Sequence, residues 1–410
     1  MSKIIVIGGG AAGMMAAYAA GLCGHKVILI EKNEKLGKKI YITGKGRCNF
    51  TNACSEEDFL KNVVSNPKFL YSAIYTFNSD AMIDFIEGHG TVTKVERGNR
   101  AFPESDHASD ITKALKKGLD EFSVDIRLNT EVKNIIISDD IAVGVELKDH
   151  KKINADHVIV CTGGLSYSTT GSTGDGLKWA KQLGIKVTDT RPALVPLNVK
   201  EAYIAKMQGL ALKNVSLNIF EGNKSIYDGF GEMLFTHFGV SGPLVLSASS
   251  IIGKKLQACG NLKAVIDLKP ALSLEELDNR LLRDFNENMN KHLSSVLRGL
   301  LPASMVPVFI EILNFDDGRQ INSVTKEERM AIINLLKAFP FTITGLREYK
   351  EAIITQGGVS VKAIDPSTMK CKNINGLSFA GEVLDLDAFT GGFNLQIAWS
   401  TGYLAGISIS

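Results

Sequence analysis

The chain has 410 residues, 45% of them hydrophobic and 22% charged, with a formal net charge of +2. A soluble globular protein of more than one domain's worth of chain, with a sizeable core, is expected from such totals. The near-neutral balance gives no electrostatic footprint for nucleic acid or an anionic membrane, and no run reaches the ~18 consecutive apolar residues of a transmembrane helix.

In chain order, Ile4 to Ile7 reads as a short buried strand rich in β-branched side chains. Gly8, Gly10 and Gly13 follow in G-x-G-x-x-G spacing, and Ala11 to Ala20 is dominated by small, helix-favouring residues. Val27 to Ile30 is a second buried strand, ending on Glu31, 18 residues beyond Gly13. Strand, glycine turn, helix, strand and terminal acid together make a dinucleotide fingerprint. The turn brings backbone against a pyrophosphate, the helix N-terminus supplies roughly half a positive charge, and the acid holds a ribose. Read as a secretory leader, the same stretch fails, because glycines interrupt its apolar core and only Lys3 precedes it as a basic residue.

A loop, LGKKIYITGKGRCNFTN, spans Leu36 to Asn52. An amphipathic helix is expected over Ala108 to Phe122, then strands near Asp125 to Leu128, Val132 to Ser138 and Val143 to Leu147. Asp156 to Gly164 reads as a buried strand running into paired glycines, and Asp175 as the cap of a helix over Gly176 to Leu183. From Arg191 to about Lys269 short β-type runs alternate with glycine and asparagine. From Ser273 the texture turns helical, with capping boxes at Ser273/Glu276 and Thr325/Glu328, and with Pro302, Pro307 and Pro340 as helix breakers. After Phe341 β-type segments return, and the last part of the chain again reads strand, glycine turn, helix.

The fold class expected is therefore α/β, a Rossmann-like domain interrupted by a β-rich insert and a helical insert. Its boundaries are residues 1–190 and 355–410 for the nucleotide domain, 191–272 and 341–354 for the β-rich insert, and 273–340 for the helical insert. Six cysteines scattered over the chain suit reduced thiols in a cytoplasmic protein. Zinc-binding spacings are absent, and GVSGP at Gly239 to Pro243 lacks the final glycine of a hydrolase elbow.

Three glycine turns, at Gly8 to Gly13, at CTGG and at AGE with GGFN, suit one long ligand better than a nicotinamide alone. FAD needs its pyrophosphate held at the first turn, its ribityl hydroxyls met by an acid such as Glu382, and its pyrimidine end met by a helix start at Gly391 to Gln396. At these residues the chain resembles the BaiN/YhiN-type flavoproteins, also known as aminoacetone oxidase family FAD-binding enzymes, of the two-dinucleotide-binding-domain superfamily. The matching stretches include IGGGAAGMMAA, TGKGRCNFTN, CTGGLSYSTTGSTGDG, GEMLFTHFGVSGP and GLSFAGEVLDLDAFTGGFNLQIAWSTG, from one end of the chain to the other.

The resemblance implies an FAD domain of the glutathione-reductase type, interrupted by a β-barrel-like insert and a helical insert, and a flavin oxidoreductase, with one branch of the family tied to reductive steps on bile acids. It assigns Gly8, Gly10 and Gly13 to the pyrophosphate, Glu31 to the adenosine ribose, and Gly163 and Gly164 to the vicinity of the nucleotide, with Ala12 and Lys32 as further cofactor-binding residues. Gly381, Glu382, Gly391, Gly392, Asn394 and Leu395 would meet the flavin end, with Arg47, Cys48 and Asn49 close by. NAD(P)H would dock transiently, since no second G-x-G-x-x-G follows a strand.

Catalytic candidates are His237 as a proton donor and Cys48, while Arg100 and Ser241 are candidates for substrate contact. Cys48 and Cys54 are spaced C-x5-C, one residue longer than the redox pair of flavin disulfide reductases, which favours two ordinary thiols. For Trp399 core packing is the expected role. The substrate expected is a small organic molecule, with no nucleic-acid or membrane partner. An amine oxidase, a flavin-binding protein without turnover and a flavoprotein acting on tRNA are the competing functions.

Overall fold

A computed structural model of the chain describes residues 1–316 and 318–409. It has a Rossmann-type α/β fold carrying a closed barrel, and it divides into two compact units, one of residues 1–192 with 349–410 and the other of 193–348.

In the first unit, strand β1 (Lys3–Ile7) leads into helix α1 (Ala11–Leu22), and β2 (Lys26–Ile30) leads towards the short helix α2 (Lys38–Ile42). The strands β3 (Asp125–Arg127) and β4 (His157–Val160), helix α3 (Asp175–Gln182), strand β5 (Leu377–Phe379) and helix α4 (Phe393–Ile407) complete the frame. The sheet order is β5-β4-β1-β2-β3, every pairing parallel. Buried strands without polar alternation are what a parallel sheet covered on both faces requires, and Ile4, Ile5, Val6 and Val158 to Val160 are fully buried.

Helices α1 and α4 approach until their backbones nearly touch. A Cβ placed on Gly402 would lie 2.3 Å from the Ala12 carbonyl oxygen, and one on Gly406 2.5 Å from that of Ala16. Only small residues permit this spacing, which explains the Ala- and Gly-rich composition of both helices. Trp399 is fully buried and donates its indole N–H to the Phe50 carbonyl at 2.9 Å, so its role is core packing with a satisfied polar tip.

The second unit is built on a closed antiparallel barrel of Leu197–Val199, Gly239–Ser241, Lys224–Phe235, Ala211–Glu221, Leu262–Asp267 and Phe339–Leu346. One apolar cluster runs from barrel residues such as Leu217 and Ile266 through helical residues such as Leu281, Phe309 and Leu336. The β-rich and helical stretches, expected as separate inserts, thus share a core.

Local expectations met two outcomes. Both capping boxes form, at Ser273 with Glu276 and at Thr325 with Glu328. A helix at Pro243–Cys259 lies inside the stretch read as β-type, where its Ser, Val and Ile content masked it. Pro307 starts the helix Val306–Leu313 rather than breaking one, because its missing N–H falls in a first turn that has no partner to lose. Pro340 lies in a strand. Asp175 does not cap: Gly174 precedes the helix without a side-chain bond, and the Asp175 carboxylate pairs with Lys32 at 2.7 Å. Among the described residues no helix is long and apolar enough to cross a membrane.

Candidate cofactor site

The sheet register assembles the site. Ile7 pairs with Ile30 on one side and with Val160 on the other, and Val160 pairs with Phe379. The residues that follow these four strand ends, Gly8, Glu31, Cys161 and Ala380, therefore leave the sheet along one row. In an open parallel sheet that carboxyl edge, where chain connections diverge to either side of β1, is where a nucleotide binds.

At this edge the three glycines of the first turn do different work. Gly8 has φ +104° and a Cβ there would sit 2.5 Å from the Cys161 carbonyl oxygen, while a Cβ on Gly13 would sit 1.8 Å from that of Gly8. Those two are demanded by the fold itself. Gly10 has an ordinary φ of −84°, and a Cβ on it would meet nothing within 4 Å. Its side is open, as it must be if a ligand's bulk is to come up against the backbone.

Both helices that start here lack a side-chain cap: α1 begins after Gly10 and α4 after Gly392. Their first-turn amides carry the positive end of the helix dipole and have no intrahelical acceptor. Ala12, 6% exposed, lies on the first turn of α1, against Gly381, whose Cβ would be 2.6 Å away. Gly381 itself donates to the Thr401 hydroxyl at 2.9 Å.

Two carboxylates stand in the row. Glu31 accepts from the Gly9 amide at 2.7 Å and from the Asn33 amide at 2.8 Å and is 8% exposed. Glu382 is bound by Lys39 at 2.7 Å, by the Ser166 hydroxyl at 2.7 Å and by the Thr355 amide at 2.9 Å. Lys39 also donates to Ser166 at 2.7 Å. This network ties helix α2 to the turns after β4 and β5. Gly164 lies against it: a Cβ there would be 2.4 Å from the Thr355 hydroxyl and 3.2 Å from Glu382 Oε1. For Gly163 the nearest atom would be the Ser172 hydroxyl, at 2.8 Å.

Among the described residues, four buried side-chain polar atoms have no partner, and three of them, Asn49 Oδ1, Thr162 Oγ1 and Asp387 Oδ1, belong to these segments. Buried polar atoms are almost always satisfied, so each of these three is a place where a bound ligand can complete the bonding. Asn49 Oδ1 lies 3.0 Å from the Cβ that Gly392 lacks. A dinucleotide suits this donor and acceptor set: open amides for a pyrophosphate, carboxylates for ribose hydroxyls and a second helix start for a ring edge.

Other expected contacts take different partners. Lys32 binds Asp175 and the Thr173 hydroxyl. Arg47 is held ionised by Glu96 and Asp106, at 2.5 and 2.7 Å, and its guanidinium lies 4.2 Å over the Phe102 ring, so its charge is spent on the side sheet of Thr51–Asn52, Arg100–Pro103 and Thr93–Glu96. The Asn394 side chain clasps the loop before α4, bonding both the amide and the carbonyl of Ala388, which leaves its backbone N–H and that of Leu395 in the first turn of the helix.

Cys48 is fully buried and its thiol is pushed up to about 12 by that burial, the opposite of what nucleophilic or redox work requires. Both it and Cys54 are free thiols. Arg100 is exposed and donates to the Arg97 carbonyl. His237, exposed beside the Phe238 ring, and Ser241, on a barrel strand, belong to the second unit, whereas Gly8 to Gly13, Gly163, Gly164, Gly381, Gly391 and Gly392 belong to the first. Sequence reading missed Lys39, Thr162, Ser166, Thr355 and Asp387. The paired lysines of the GKK loop were the only visible signal among them.

Comparison with known proteins gives a family match over nearly the whole chain. Residues 2–408 match the family described as HI0933-like protein Rossmann domain. The chain is 33% identical to a ribosomal RNA dihydrouridine synthase of Haemophilus influenzae over 100% of its length and 98% of the relative. It is 30% identical to a 3-dehydro-bile acid delta(4,6)-reductase of Clostridium scindens, over 99% and 98% of the two chains. Among solved structures, 3-ketosteroid-delta4-(5alpha)-dehydrogenase of Rhodococcus jostii shares the fold with a TM-score of 0.54 at 14% identity, over 99% of this chain and 96% of that one.

Proposed function

The chain belongs to the HI0933-like Rossmann-domain family, and on that premise we propose that it is an FAD-dependent oxidoreductase that saturates a polarised carbon–carbon double bond in a small organic molecule. The reductant proposed is NAD(P)H, docking transiently. The observation that carries the cofactor assignment is three buried polar atoms without partners: Thr162 lies in the CTGG turn, Asp387 between the AGE and GGFN turns, and Asn49 against Gly392.

The residues divide the work of holding FAD. The amides at the start of α1 and the open flank of Gly10 meet the pyrophosphate, and Glu31 meets the adenosine ribose. Lys39 and Ser166 fix the Glu382 carboxylate at the level of the ribityl chain. The amides of Phe393 to Leu395 face the pyrimidine edge, where a helix dipole favours negative charge. Bound FAD supplies hydride chemistry; the chain orients it.

The reaction class draws its support from the relatives. Both a delta(4,6)-reductase and a dihydrouridine synthase are named for saturating a double bond, in a steroid and in a uracil ring respectively. Net, two electrons and two protons are added across the bond and NAD(P)H is oxidised. A second reading, a uridine of RNA as substrate, is favoured by two relatives named ribosomal RNA dihydrouridine synthase, from Haemophilus influenzae and, at 31% identity, Escherichia coli. The net charge of +2 weighs against it.

Anaerobic mixing with NADH and NADPH, following flavin absorbance, tests the proposal. Bleaching by a nicotinamide, then recovery of colour on adding an α,β-unsaturated ketone, is the result expected. Recovery with ribosomal RNA but no ketone selects the second reading, and bleaching only by amines indicates an oxidase. Bound flavin that no donor reduces indicates a binding protein, and a colourless chain that takes up no FAD ends the proposal.

A further inference from the structure

Asp387 lies between Glu382 and Gly391, in the loop that links the two flavin-facing turns, and is fully buried. Its backbone is clamped: its carbonyl accepts from the Val64 and Ser65 amides, at 2.8 and 3.2 Å, and the next residue, Ala388, is held by Asn394. One carboxyl oxygen, Oδ2, accepts from the Gln356 amide at 3.0 Å, and Gln356 Oε1 in turn accepts from Arg191 at 3.0 Å. The other, Oδ1, has no partner.

A carboxyl this enclosed, with a rigid backbone and one bare oxygen, is costly unless something donates to it. Burial pushes its ionisation up to about 6, Asp385 adds to the rise, and Ser65, Gln356 and Arg191 oppose it. The charged groups acting on it are thus Arg191 and Asp385, and the Ser65 hydroxyl lies close enough to lower its ionisation by hydrogen bonding, yet Oδ1 has no partner in hydrogen-bond geometry.

Building on the FAD assignment above, we propose that Asp387 is a cofactor-positioning residue whose Oδ1 accepts a hydrogen bond from an N–H or O–H donor of the bound flavin, so that FAD binding and ionisation of this carboxyl are coupled. A donor favours the carboxylate over the acid, so binding releases a proton and affinity rises with pH until the acid is ionised in the free protein as well. Repulsion from the cofactor's own phosphates would produce the reverse slope.

The test is titration of flavin-stripped, full-length protein with FAD between pH 5 and 7.5, read by flavin fluorescence, for the wild type and Asp387→Asn. The wild type should bind on the order of tenfold more tightly at pH 7.5 than at pH 5. Asp387→Asn should lose most of that slope and bind on the order of tenfold more weakly at pH 7.5, because an amide N–H then faces the flavin's donor or the acceptor is turned away from it. A flat or falling profile in the wild type overturns the inference. So does a variant that keeps the wild-type slope and affinity, the result expected if a water molecule satisfies Oδ1. Should the variant not fold, proton release by the wild type decides: FAD binding measured calorimetrically near pH 6, in two buffers of different ionisation heat, should release a substantial fraction of a proton, and none released overturns the inference. Failure of the wild type to bind FAD at any pH refutes the functional reading as well, whereas pH-independent binding refutes the role of Asp387 alone.

Discussion

Gly10→Ala separates the ligand's demands from those of the fold. Gly10 has φ −84° and ψ −167°, open to any residue, and its Cβ would meet no atom within 4 Å. Alanine is a poorer helix N-cap than glycine by a few tenths to ~1 kcal/mol, but replacing glycine recovers ~0.4–1 kcal/mol by restricting the unfolded chain. The two offset to within ~0.5 kcal/mol, a Tm change of about 2 °C or less for a protein of this size. If a pyrophosphate packs against this backbone, the added methyl occupies its space, and the loss in FAD affinity should be at least about tenfold, ~1.4 kcal/mol. Thermal melts of the flavin-free proteins and fluorescence titration with FAD measure the two quantities independently. Gly13→Ala is the contrast: its Cβ would fall 1.8 Å from a backbone oxygen, so the flavin-free protein itself should lose stability. Gly10→Ala that binds FAD within twofold of the wild type would refute the assignment of the first turn.

Three further outcomes follow from the packing. Gly402→Ala puts a methyl 2.3 Å from the Ala12 carbonyl oxygen and should cost ~1–3 kcal/mol in chemical denaturation, with an unchanged midpoint arguing against the close α1–α4 contact. His157, on β4, is held down to about 4 by burial first and by Lys370 and His25 next. The folded imidazole stays neutral while the unfolded one takes a proton below its ordinary value of 6.5, so its contribution is intact above pH 6.5 and is lost as pH falls towards 4, by ~3 kcal/mol at about 1.4 kcal/mol per pH unit. His157→Gln should flatten the urea-measured stability over that window, and an unaltered slope would exclude this cause. Cys48, a buried thiol pushed up to about 12, should resist alkylation at pH 8 while the exposed Cys23 and Cys259 react, and mass mapping that finds it labelled as fast as they are would contradict its burial.

What the sequence determined by itself is the local grammar. Apolar β-branched runs marked the strands at Ile4 to Ile7 and Val27 to Ile30, G-x-G-x-x-G marked the turn that opens α1, and Ser or Thr followed by Glu three residues on marked two helix starts. Each of these depends on neighbours a few residues apart, so a window of sequence contains the whole interaction. The register that brings Gly8, Glu31, Cys161 and Ala380 into one row was decided only by tertiary structure, as were the Lys39 bond to Glu382 across 343 positions and the bare oxygen of Asp387. So too were the partners that draw Arg47 and Lys32 to other work. Such pairings rest on which side chains burial leaves facing one another and on which polar atoms it leaves unmatched. Residue spacing along a chain does not encode that, because desolvation acts on neighbours in space.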